Sequence, residues 1–297
     1  MSRLAAAGSA ANPSSMVTVG DKRRARAGAP AQRVYREAVV LGAAAYAILL
    51  QIAHPGVGQG VADHSDFAQR PVDRLRGTLV FVYGLVYGTE EEADRVARIV
   101  RAIHKRVTGP GYSARDPELQ VWVAATLYAC NMHVYELVFG PLAPEDKDEV
   151  YRHSAVFATS LGCPPDRWPA TRADFDRYWA DMIGAIEVND TARAIARDLF
   201  HPANPVVRAL VRVQRFLASG LLPEHVRAGF GLEWGPIHQR RFDRLVAAVR
   251  TVYPRLPLTV RTLPRDYYLH DMRRRAARGG RDRTERRGPG RVLPGRR

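Results

Sequence analysis

Residues 89–107 read TEEEADRVARIVRAIHKRV, and their spacing decides the fold class. Thr89 precedes three consecutive glutamates, Glu90 to Glu92, so a capping hydroxyl is followed by acids that favour the positive end of a helix. Val96, Ile99, Val100, Ile103 and Val107 then recur at the steps of an amphipathic helix, with Arg98, Arg101 and Lys105 on the other side. The spacing predicts a helix over 90–107 with one buried stripe. At about 100° per residue, His104 falls about 60° from the centre of that stripe, so its imidazole is expected to look into the core from the stripe's edge. A histidine so placed is either a satisfied core residue or a ligand, and the helix alone does not decide.

Working outward, long helical segments are separated by proline and glycine, with no sustained alternation of the kind strands need. Helices are predicted over 33–53, 56–63, 71–87, 116–139, 145–160, 172–184, 188–199, 204–218, 223–229 and 235–252. Asp116 before Pro117, Thr171 and Asn189 are expected N-caps. The reading is all-α: a single multi-helix globular domain over 33–268, between disordered tails at 1–32 and 269–297.

The chain of 297 residues carries a formal charge of +15, which invites a nucleic-acid reading until the charge is located. Residues 271–297 hold eleven arginines against three acids, and residues 1–30 hold five basic residues against one acid. About +3 is left for the 240 residues between, an ordinary globular surface. The tails are therefore read as solvated extensions; contact with nucleic acid or an anionic membrane surface is the alternative, with function then residing in the tails. Two cysteines, Cys130 and Cys163, are too few for a disulfide framework, so a cytoplasmic location is expected. Lys22-Arg23-Arg24 lies ahead of an apolar run and raises twin-arginine export as the alternative, although polar residues separate the two. That run, Ala38 to Ala53, is shorter than a bilayer requires and reads as a buried helix.

Several residues could carry chemistry. Arg74 and Thr78 are four apart and share a helix face, with Gly77 leaving bare backbone beside them. A guanidinium and a hydroxyl so stacked could bind a carboxylate or an anionic oxygen, or Arg74 could simply pair with Asp73. His54 precedes Pro55 at the junction of two helices, and His64 follows; each could be a ligand, a pocket acid or a cap. Asn131, His133 and Glu136 interrupt an apolar helix and must find partners, with one another or in a pocket. The chain lacks Glu-x-x-His, HExxH, zinc-type spacing, GxSxG, GxGxxG, a phosphate-binding glycine loop and CxxCH. These absences exclude most familiar enzyme classes and covalent c-type haem, leaving a haem held by coordination open.

QIAHPGVGQGVADHSDF at 51–67, RLRGTLVFVYGLVYGTEEEADR at 74–95 and RIVRAIHKRVTG at 98–109 follow one another in register. So do YSARDPELQVWVAATL, GCPPDRWPATRADFDRYW, VNDTARAIARDLFHP and GLLPEHVRAGFGLEWGP further on. Together they resemble the MpaB and rubber oxygenase (latex clearing protein) catalytic domain family over approximately 33–268. The resemblance implies an all-α domain holding haem b between helices, with His104 as the proximal iron ligand. It further implies a distal side where the family's Arg-x-x-Lys-Thr pattern is met by Arg74, Gly77 and Thr78, so the lysine is missing. His54 is a further candidate for contact with the cofactor. The implied activity is oxygenation of a hydrophobic, isoprenoid-like substrate by haem-bound dioxygen, with an unidentified redox partner. A haem carrier or sensor without turnover, on the same fold, is the alternative.

Overall fold

Proline and glycine fall where the chain turns in the computed structural model, which describes residues 29–64 and 71–286. The elements are α1 (Pro30–Tyr35), a 3-10 helix (Ala38–Ala43), α2 (Ala44–Ala53), α3 (Pro55–His64), α4 (Pro71–Tyr87) and α5 (Glu90–His104). A two-stranded hairpin, β1 (Thr108–Gly109) and β2 (Tyr112–Ser113), leads into α6 (Pro117–Phe139), α7 (Pro144–Ser154) and α8 (Val156–Thr159). Then come α9 (Arg172–Ala185), α10 (Asp190–Phe200), α11 (Pro205–Leu221) and α12 (Glu224–Gly229). The chain continues through α13 (Pro236–Val252), α14 (Leu258–Arg261) and α15 (Leu263–Arg286). The architecture is all-α, as expected, and the expected caps form. Thr89 and Glu92 make a reciprocal capping box, and Asp116, Thr171 and Asn189 each accept a first-turn amide.

Several boundaries differ from the sequence reading: the helix expected over 145–160 breaks at Ala155, between α7 and α8, and three others have an identifiable cause. The helix expected over 33–53 is broken at Glu37, whose backbone is extended (φ −73°, ψ 122°) and whose side chain is buried on Arg261. The helix expected to reach 107 ends at His104, where Arg106 and Val107 turn their amides onto the Ile103 and His104 carbonyls ahead of the hairpin. That hairpin has two residues per strand, too few to announce themselves by alternation, and turns through Gly111 at φ 78°. Finally, the boundary expected at 268 falls inside α15, which packs on α4 and buries Leu269, Asp271 and Met272. The remaining tail residues, 1–28 and 287–297, lie outside the described residues.

α6 is apolar nearly all round because it is the central helix. Trp122, Cys130 and Val134 join α2, α10 and α11 in one core. Val121, Ala125, Tyr128 and Tyr135 face α1, α7 and α9 in a second. Leu79 and Tyr83 of α4, Val96 of α5 and Leu269 and Met272 of α15 form a third. At His54 the apolar run turns by 102° into α3. The corner is tight: a Cβ on Gly58 would lie 2.5 Å from the Ile52 carbonyl oxygen. No single helix among the described residues is long and apolar enough to cross a membrane.

Candidate functional site

α4 and α5 form an antiparallel hairpin of helices, and their contact sets which residues lie level. A Cβ on Gly84 would meet Val96 at 3.0 Å, so stepping back along α4 and forward along α5 brings Gly77 level with Ile103 and Arg74 near the end of α5. His104 is the last residue of that helix. The structure therefore unites the two residues the sequence singled out separately: burial lowers the His104 pKa below the ordinary histidine value, and the nearby charge of Arg74 lowers it further. The ring is half-buried, and its Nδ1 is buried with no hydrogen-bond partner. A neutral imidazole with an unclaimed polar atom is an exception among buried groups and asks for a partner.

The buried side of α5 is rotated from the expected stripe. Val96 and Ala97 are buried and Val100, Arg101 and His104 are half-buried, whereas Ile99 and Ile103 are each 56% exposed. His104 therefore lies near the middle of the inward face rather than at its edge. Arg101, expected on the solvent side, turns inward to donate to the Ser160 carbonyl oxygen at 2.5 Å. The two isoleucines stand uncovered on the outward side of α5, about 100° (Ile103) and about 140° (Ile99) round the helix from His104 at about 100° per residue, with Ile103 level with exposed Gly77. Nothing lies within 4 Å of a Cβ built on Gly77, so the space there is open. Thr78 Oγ1 donates to the Arg74 carbonyl oxygen at 3.2 Å, which ties its proton to the helix and leaves its lone pairs outward.

The other candidates have local partners. His54 Nδ1 accepts the Gly56 amide at 3.2 Å, the capping role weighed for it, and burial lowers its pKa against the opposing charges of Asp116 and Glu118. It borders a cavity of about 260 Å³ with Glu118, Arg167 and Tyr178. His64 Nε2 donates to the Thr108 carbonyl oxygen at 3.2 Å and tethers α3 to the hairpin. Asn131 donates to the Leu127 carbonyl oxygen at 2.6 Å. Glu136 accepts the Leu142 amide at 3.1 Å and pairs with Lys147 at 2.8 Å. The His133 ring meets Tyr46 edge-on, with ring centres 6.0 Å apart. Among the described residues no group of three or more His, Cys, Asp or Glu could hold a metal ion, so an iron held by these residues would bring most of its own ligands.

Haem b does so, since its porphyrin supplies four nitrogens and the protein need supply one neutral imidazole. The residues present fit that requirement. His104 has a depressed pKa and an unpartnered ring nitrogen, and Arg74, whose charge is felt at His104, carries a guanidinium that could take a propionate. What periodicity could not reveal was the exposure of the two isoleucines, because a helical pattern gives the apolar side and not which part of it a neighbour covers.

Comparison with known proteins places residues 31–251 in the family model described as ER-bound oxygenase mpaB/B'/Rubber oxygenase, catalytic domain. The uncharacterized protein Rv2237 of Mycobacterium tuberculosis is 31% identical over 247 residues, covering 79% of this chain and 96% of that protein. The uncharacterized protein Mb2261 of Mycobacterium bovis matches to the same extent. No solved structure matches.

Proposed function

The chain belongs to the MpaB and rubber oxygenase catalytic-domain family, and from that premise we propose that it is a haem b-dependent oxygenase of a hydrophobic, isoprenoid-like substrate. The observation that carries the proposal is the neutral His104 imidazole, half-buried with Nδ1 unpartnered, beside the charge of Arg74. In this reading His104 would hold the iron through a ring nitrogen, and its depressed pKa keeps a ring lone pair available at neutral pH. Arg74 holds an anionic oxygen of the cofactor or of the reacting group through its fixed donors. Ile99 and Ile103, uncovered on the same helix, would offer an apolar surface to a hydrophobic substrate. Thr78, with its proton on the Arg74 carbonyl, accepts rather than donates until that bond is given up. Bound haem would supply the redox chemistry of dioxygen, which no side chain in the cluster can provide.

The test is an absorption spectrum of purified protein supplied with haem, recorded with and without dithionite and carbon monoxide. A Soret band that shifts on reduction is expected, and it should be lost or shifted in His104→Ala. A protein that stays colourless with haem supplied overturns the proposal. One observation favours a second reading, a haem carrier or sensor without turnover: at Gly77, where the family pattern has lysine, the space is open and no side chain enters it. The two separate by incubation with an isoprenoid alkene, which yields carbonyl fragments only if the site turns over.

A further inference from the structure

α10 and α11 meet at a cavity of about 250 Å³ that the reading above does not use. Arg193, Arg197, His201 and Arg215 line it, with Phe200 and Phe230 as its apolar wall, and no acid is among its lining residues. Arg193 is fixed in place: it pairs with Asp190 at 2.8 Å and donates to the Val188 and Gly229 carbonyl oxygens at 2.6 and 3.2 Å. The Arg215 guanidinium lies 5.8 Å over the Phe200 ring. His201 Nδ1 donates to the Arg197 carbonyl oxygen at 2.7 Å, so its ring is held as well. Neither Arg197 nor Arg215 has a carboxylate within ion-pair distance among the described residues. Like charges gathered round one space repel one another, and an anion entering it removes that cost.

The surroundings extend the same pattern. Arg208, Arg212 and Arg215 follow at i, i+4 and i+7 on α11, within about 60° of one another at about 100° per residue. α11 carries no acid. A ligand approaching the cavity therefore passes along a basic edge before meeting the aromatic wall. We propose that this cavity binds the phosphate group of a phosphate ester or diphosphate, with the ligand's apolar part against Phe200 and Phe230. A carboxylate offers two oxygens, whereas a phosphate offers three or more and can occupy several guanidinium forks at once. The ligand could be a free phosphate ester or a lipid headgroup. The inference stands independently of haem at His104.

The test is calorimetric titration of the full-length chain with pyrophosphate at low and at physiological salt. Sedimentation with phosphatidate-containing vesicles, against phosphatidylcholine alone, runs in parallel. Saturable binding of pyrophosphate, of phosphatidate vesicles, or of both is expected, and which source binds identifies the ligand. The binding should weaken at least tenfold in Arg197→Ala/Arg215→Ala and less in Arg215→Lys, with Arg240→Ala unchanged. Hydrogen exchange of the wild-type chain supplies a measurement that needs no variant: the bound probe should slow amides in 193–201 and 230–232. Absence of saturable binding with either source overturns the proposal. So does undiminished binding by a folded double variant, or slowed exchange confined to other segments.

Discussion

Arg261→Ala should be among the most damaging single substitutions far from His104, and its cost follows from one contact. Glu37 is 1% exposed, and the Arg261 fork grips both its oxygens, Nε at 2.8 Å and Nη2 at 2.6 Å. Tyr253 donates a third hydrogen bond at 3.2 Å, and Arg36 approaches at 3.3 Å from the half-open side. Removing one partner of a buried pair costs about 3–5 kcal/mol, because the other charge stays buried without its counterion. Since Tyr253 and Arg36 remain, about 3 kcal/mol is expected, a large share of a typical stability of about 5–15 kcal/mol. With a urea slope of about 2–3 kcal/mol/M, the midpoint should fall by about 1–1.5 M. Arg261 also lies over the Phe139 ring at 5.2 Å, so part of the loss is packing. Urea unfolding followed by circular dichroism measures the shift. Arg261→Lys should recover part of it, keeping charge without the fork, and Glu37→Gln/Arg261→Met should recover most, because no bare charge remains. A loss below about 1 kcal/mol in Arg261→Ala, against the about 3 kcal/mol expected from a confined carboxylate, would refute the reasoning.

Further outcomes follow from the site and the corner before it. His104 and His54 have pKa values depressed by burial. The unfolded chain therefore binds protons more readily, so stability is full above about pH 6.5 and falls as pH drops below it, which urea midpoints at pH 7.5 and pH 5 will register. His104→Phe should make that slope shallower but not abolish it, because burial also lowers the pKa values of His54, His133 and His153. Gly77→Lys enters open space and should add about 0.5–1 kcal/mol of stability through helix propensity, read as a higher melting midpoint; a loss of stability would show that the space is filled. If haem binds, the new amine should also alter its ferric spectrum. Gly58→Ala places a Cβ 2.5 Å from the Ile52 carbonyl oxygen and should cost about 1–3 kcal/mol, read from the same melts.

The helices were legible because their signals are local. Thr89, Asp116, Thr171 and Asn189 sit where the period begins, and each caps as its side chain predicts. His104 and Arg74 were legible as candidates on separate helices, and the resemblance joined them. Their electrostatic proximity required the α4–α5 register, which depends on Gly84 admitting Val96 and on no pattern within either helix. Glu37 was illegible for a similar reason: its partner is more than two hundred residues away, so a carboxylate inside a helical run carried no sign that it would break the run. α15 was missed because arginine-rich composition reads as solvated, although Leu269 and Met272 bury one side and Arg76 reaches across to Asp271.

That last helix bears on how experiments with this protein are to be judged. A fragment trimmed to the 31–251 segment that matches the family would lack the cover over Leu79, Tyr83 and Val96. An oily seam would then open along the same two helices that carry Arg74 and His104, inviting aggregation during purification. Failure of such a fragment to take up pigment would report missing scaffolding and would leave the role of the imidazole unjudged.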